Sequence, residues 1–388
     1  MKATMWRVVS STLLIEVLFV ANSYGLKDLG VPGFECPNMG PSASVPISAH
    51  AVRPADIKIV AALGDSLTAG NGAGAQPGDP LALLLQYRGL SFGGGGDKNL
   101  SQHVTIPNIL RAFNPSVFGY ALGISANDVW AHAHLNLGFP GAESGDLPGQ
   151  AKKLVQLMNA HKEVDVQNDW KLVNIFIGGN DICAYCQDSL NNSNGPHTPE
   201  NFANGIRQAV QILKDHLPRT IVSLTGMFNM VMLRQIDHKE VFCQLLHIDE
   251  CPCESDTSFT DAEIANTSIG YMNAERVLQT SGEFDTTDDF TLVMQPFFQD
   301  IVDPPRLANG TVEYEFFAAD CFHFSQLGHA VVSKYLWNNI MQPVGSKQTT
   351  ANLSNVDIAL QCPDADCPFI RTTKNSQNCQ KYAKTTLY

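Results

Sequence analysis

Two short segments, far apart in the chain, carry the residue types of a nucleophile and its proton acceptor. Gly64-Asp65-Ser66-Leu67-Thr68 follows a short apolar run, so Ser66 is expected at a strand-to-helix turn with its hydroxyl facing a crevice. Asp320-Cys321-Phe322-His323 lies near the other end, and two groups three residues apart in one turn or tight loop can point at one spot. A serine hydroxyl attacks poorly until an imidazole takes its proton. That imidazole in turn needs a carboxylate to hold its tautomer and stabilise its charged form. Ser66, His323 and Asp320 supply the three parts. Each alone has a plainer reading: an ordinary turn or N-cap for the Gly64-Asp65-Ser66 tripeptide, a packed histidine beside Phe322 and Phe324, a loop or capping carboxylate for Asp320. The turn is not Gly-x-Ser-x-Gly either, so the sharp elbow of the α/β-hydrolases is not expected.

Acyl transfer also requires donors aimed at the developing oxyanion. Gly178-Gly179-Asn180-Asp181 closes a second apolar run, which lets the Asn180 amide reach over the crevice. Asn136-Leu137-Gly138-Phe139-Pro140-Gly141-Ala142 precedes a helix, where the Gly141 N–H is expected to be unpaired. The chemistry calls for no metal and no cofactor. His132 and His134 have no third ligand nearby. The glycines of 93–96 lack the Lys-Ser/Thr of a nucleotide loop and read as a flexible surface loop.

Something must hold these segments together. Apolar runs at 57–63, 172–177, 220–224 and 290–294, each closed by Gly or Pro, read as buried parallel strands. Helical periods fall between them, with Leu154, Val155 and Met158 on one face of 150–161, and Phe202, Ile206, Val210, Leu213 and Leu217 on one face of 199–217. A final helix covers 325–341. The alternation implies an α/β fold with a central parallel sheet and helices on both faces, whose chemistry gathers at the carboxyl ends of the strands.

The four segments together resemble the conserved blocks of the GDSL, or SGNH, hydrolase family, whose Ser, Gly, Asn and His match Ser66, Gly141, Asn180 and His323. The resemblance implies a flavodoxin-like three-layer α/β/α sandwich. It makes Ser66 the nucleophile and first oxyanion amide, Gly141 and Asn180 further oxyanion donors, His323 the base and Asp320 its orienter. A narrower resemblance, to phospholipase B of the animal membrane-associated type, runs from about residue 56 to 342. It rests on the segments 60–72, Gln86-Tyr87-Arg88-Gly89-Leu90-Ser91-Phe92, Ile106-Pro107-Asn108-Ile109-Leu110, Gly178-Gly179-Asn180-Asp181 with Cys183 and Cys186, and 320–325. That likeness implies a serine esterase or lipase cleaving fatty-acyl esters of phospholipids and lysophospholipids, with lipid aggregates or a membrane surface as its partner. A carbohydrate or short-chain acetylesterase is the enzymatic alternative, and a secreted binding protein on an inactive scaffold the non-enzymatic one.

Composition bounds the rest. Of 388 residues 44% are hydrophobic, enough for a full core, and 25 Lys and Arg against 38 Asp and Glu leave a charge of −13, which disfavours nucleic acid. Lys2 and Arg7 before an apolar run at 8–21 read as an export signal, which divides the chain into a signal peptide at 1–23, an extension at 24–55, the hydrolase domain at 56–343 and a cysteine-containing tail at 344–388. Ten cysteines suit an oxidising compartment, as do sequons at Asn99, Asn191, Asn266, Asn309 and Asn352. Cys183-x-x-Cys186 and Cys251-x-Cys253 are expected as disulfides rather than metal ligands, with connectivity open. No hydrophobic tail suggests a lipid anchor, so a secreted, soluble monomer is expected.

Overall fold

The computed structural model describes residues 26–76, 79, 81–188, 195–237 and 241–383; the expected signal peptide and the Asn191 sequon lie outside them. Four parallel strands, β1 Ile57–Gly64, β2 Trp170–Phe176, β3 Thr220–Thr225 and β4 Phe290–Gln295, form one sheet in the order β1-β2-β3-β4. They lie within a residue or two of the expected runs. β2, β3 and β4 are buried at every position, as a strand covered on both faces must be. Each Val, Ile or Leu so enclosed contributes at most about 1.5–3 kcal/mol, which makes these runs the strongest local signal in the chain.

Sequential order with right-handed crossovers sends all three connecting helices to one face. There Leu147–Ala160, Pro199–His216 and Asp261–Thr280 pack side by side. The last was not expected from the sequence. It opens on a capping box between Thr260 and Glu263, but Thr267, Ser268 and Glu275 share its buried face, so no apolar period shows. Ile106–Phe113 and Gln326–Met341 cover the other face, and the latter is buried along its whole length. The three-layer α/β/α arrangement is therefore the expected one.

β1 is not a free edge. Phe118 and Asn136 make parallel bridges with Ile59 and Ala62, and the Phe139 N–H donates to the Gly64 carbonyl at 3.0 Å. The segment ending at Gly141 thus runs alongside β1 to the carboxyl end, where Ser66 begins.

The 93–96 glycines are a correction. They are buried, not a surface loop, because backbone and side chains approach from every side. A Cβ on Gly94 would lie 2.8 Å from the Ala62 Cβ, one on Gly95 2.4 Å from the Gly89 carbonyl, and one on Gly96 2.1 Å from the Tyr120 ring. Asn174 of β2 donates to the Gly93 carbonyl at 2.8 Å. The run is glycine-rich because a loop is pressed flat against the sheet.

Five disulfides join Cys36 to Cys362, Cys183 to Cys251, Cys186 to Cys253, Cys243 to Cys321 and Cys367 to Cys379, which bears out the disulfide expectation. Ala49, Val52 and Ala55, before β1, belong to the main core, and Trp170 Nε1 donates to the Pro46 carbonyl at 2.9 Å. Asn99, Asn266, Asn309 and Asn352 are exposed.

Candidate active site

Ser66 owes its position to the way β1 stops. Gly64 has φ +151°, and a Cβ there would meet the Phe176 carbonyl at 2.1 Å, so only glycine lets the chain leave the sheet here. The Gln150 side chain clasps its backbone, accepting from Gly64 N–H at 2.9 Å and donating to its carbonyl at 2.8 Å. Asp65 then caps the turn Ser66–Ala69 by accepting from Leu67 N–H at 2.9 Å. The reading of the tripeptide as a capped turn is thus correct, and the cap is Asp65.

The His323 loop is built by one carboxylate. Asp320 Oδ1 accepts from the N–H groups of Phe322 at 3.0 Å and His323 at 2.9 Å, while Oδ2 faces His323 Nδ1 at 2.7 Å. On the other side of the ring, His323 Nε2 lies 2.7 Å from Ser66 Oγ. Burial pushes the Asp320 pKa up, but the adjacent imidazole and three hydrogen bonds outweigh it and hold the carboxyl below its ordinary range. Burial pushes His323 down, and the charge and hydrogen bond of Asp320 more than reverse that, leaving it raised. With Nδ1–H donating to Asp320, Nε2 presents its lone pair to the Ser66 hydroxyl.

Asn180 and Ser66 line one cavity, with Leu67, Phe228, Met230, Leu233 and Phe322 among its walls. One Asn180 amide hydrogen goes to the Ala142 carbonyl at 2.8 Å, which leaves the other to turn inward. Gly141 does not line this cavity. It is exposed at φ +77°, one residue before that carbonyl, and its N–H makes no backbone hydrogen bond among the described residues.

Several supporting groups were not foreseen. Asp181, next to Asn180, accepts from Ser144 N–H and from Ser144 Oγ at 2.5 Å, tying the Gly141 loop to the Asn180 helix; burial pushes its pKa up to about 6. Arg88 is wholly buried and donates to the carbonyls of Ser125 at 2.8 Å, Asn136 at 3.1 Å and Gly138 at 2.7 Å, and to the Gln86 side chain. Asn136 passes the connection on, donating to the Thr68 carbonyl at 2.9 Å. A lone Arg in a glycine-rich segment carries no local sign of this. His132 and His134 do not form a metal site with any third group among the described residues, and His134 Nδ1 bonds the Tyr120 carbonyl at 2.7 Å.

A family model for the GDSL-like lipases and acylhydrolases matches residues 60–336. The chain is 42% identical over 346 residues to human "Phospholipase B1, membrane-associated" and 42% identical over 348 residues to the mouse protein of that name. The rat protein is 41% identical over 348 residues. Each alignment covers 88% of this chain but only 23% of the relative, so the chain spans about a quarter of their length.

Proposed function

The chain belongs to the GDSL-like lipase/acylhydrolase family, and we propose that it is an exported phospholipase B, acting on fatty-acyl esters of glycerophospholipids and lysophospholipids through an acyl-Ser66 intermediate. The observation that carries this reading is the unbroken hydrogen-bonded series Asp320, His323, Ser66. His323 Nε2 takes the hydroxyl proton as Ser66 Oγ bonds to the acyl carbon. In this reading the oxyanion is received by the Ser66 N–H and the Asn180 amide, and the Gly141 N–H, which lies outside the small cavity, joins them when substrate opens it. His323 then returns the proton to the departing alkoxide, and water repeats the sequence to release the fatty acid. Asp320 stays ionised throughout and stabilises the imidazolium.

The apolar walls Phe228, Met230, Leu233 and Phe322 suit an acyl chain better than a sugar, and the names of the similar proteins favour the same substrate class. Five disulfides favour an oxidising compartment, and no helix among the described residues is long and apolar enough to cross a membrane. A fluorophosphonate probe should label the native chain and not Ser66→Ala; equal labelling would remove Ser66 as nucleophile. Release of fatty acid from long-chain phosphatidylcholine and its lyso form tests the substrate. Turnover of acetyl esters alone would replace it with the acetylesterase reading.

A further inference from the structure

Ser66 is only 6% exposed, and the cavity over it measures about 10 Å³, room for about one water molecule. An acyl chain must therefore enter through the rim. Three separate elements near the site carry exposed apolar side chains. Leu81 and Leu84 are 75% and 74% exposed on a segment whose next residue, Leu85, accepts from the Gly72 N–H at 3.0 Å, just beyond the Ser66 turn. Phe139 is 54% exposed in the Gly141 loop, beside Gly64. Leu245 and Ile248, 62% and 55% exposed, flank His247, whose Nε2 lies 3.1 Å from the Asp320 carbonyl and whose ring packs on Phe322. Large apolar side chains this exposed are individually ordinary in a soluble protein, but here each is tied by one contact to a segment that leads directly into the site: Leu85 to Gly72 after the Ser66 turn, Phe139 to Gly64 before it, and His247 to Asp320.

We propose that these residues form one docking surface for a zwitterionic lipid aggregate, placing the mouth of the Ser66 cavity against the acyl chains. The proposal rests on the lipid-ester reading above and adds the surface through which substrate arrives. Continuity with the reaction site selects lipid as occupant. The net charge of −13 argues against an anionic surface, which would repel the chain.

The test uses the full exported chain carrying Ser66→Ala, so that lipid is bound but not consumed. Binding to phosphatidylcholine vesicles is measured by flotation, with and without Leu81→Asp/Leu84→Asp. Two charges on the rim should weaken partition at least about tenfold, by the cost of placing carboxylates in an apolar interface. With Ser66 restored, hydrolysis of a monomeric short-chain ester should change less than about twofold, on the ground that exposed positions tolerate substitution. As a second readout, the Leu84→Trp variant should show blue-shifted indole emission on vesicle addition. Equal vesicle binding by the double Asp variant, or emission from the Leu84→Trp variant that is indifferent to vesicles, would overturn the surface. Vesicle binding that weakens as expected, in a chain that never releases fatty acid, would uphold the surface and reject the substrate reading.

Discussion

His323 carries the pH dependence of the proposed reaction. Only the neutral ring accepts the Ser66 proton, and Asp320 outweighs burial in raising its pKa above 6.5, so kcat/KM should climb with pH through a midpoint above that value. Asp320→Asn removes the charge that raises it and leaves burial to lower it. The midpoint should move down, and kcat should fall on the order of 10⁴-fold as the ring loses its orienting carboxylate. A midpoint that stays put would mean that another group titrates. Asp65 is the group to check, since burial, opposed by the Leu67 N–H, pushes it up to about 7. In Asp65→Asn the rising limb should persist; its disappearance would reassign the limb to Asp65. Asn180→Ala should cost about 10²–10³ in kcat with little change in KM, as expected for a donor used only in the transition state.

The loop that ends at Gly141 is an element without regular structure, held in register by buried contacts. Arg88 is the hub, and burial lowers its pKa to about 10, yet it remains charged at neutral pH. Its fork spans the Asn136 and Gly138 carbonyls, and a lysine cannot reproduce that geometry. Arg88→Lys should therefore lower kcat more than it raises KM. Loss of stability with unchanged turnover per folded molecule would show that Arg88 is structural only. The 93–96 segment is the second support of this loop. Gly94→Ala forces a methyl against Ala62 and the Asn136 amide, which should destabilise the fold by about 1–3 kcal/mol in urea titration. These elements were the least visible in the sequence. A glycine run looks the same whether it is loose or pressed on a sheet, and a buried Arg resembles an exposed one until its carbonyl partners are known.

Over the whole molecule, three disulfides converge on the region between β3 and β4. Cys251 and Cys253 tie it to the Asn180 helix, and Cys243 ties it to Cys321 in the His323 loop. One segment is thereby fastened to both the Asn180 side and the His323 side of Ser66. Buried acids add a global pH dependence. Burial raises Asp65 to about 7, Asp181 to about 6 and Glu275 to about 8, the last easing back slightly through the Met227 N–H. A carboxyl whose folded pKa is raised binds its proton more tightly when folded. Its contribution is complete below the unfolded pKa, near 4, and is lost as pH rises through the folded value. Buried His50 and His329, which burial lowers to about 4 and about 3, act in the opposite sense, so the acid is read by difference: the stability of the native chain relative to Glu275→Gln should fall from about pH 5 to about pH 8. A difference independent of pH in urea titrations would contradict the buried, protonated state of Glu275.

Much of this was legible along the chain. Contiguous Val, Ile and Leu runs closed by glycine or proline announce buried parallel strands because burial on both faces is a local requirement of composition, and β1 to β4 follow them closely. Ser66 and Asn180 stand out by residue type together with the strand ends they follow, and Asp320 and His323 by residue type and their three-residue spacing. Cysteine pairing, the Arg88 and Asn136 network, the Asp181 tie to Ser144, the burial of 93–96 and the closed cavity were not. Each depends on which residues meet across separations of tens to hundreds of positions, and such meetings are made by packing, which leaves no mark on neighbouring sequence.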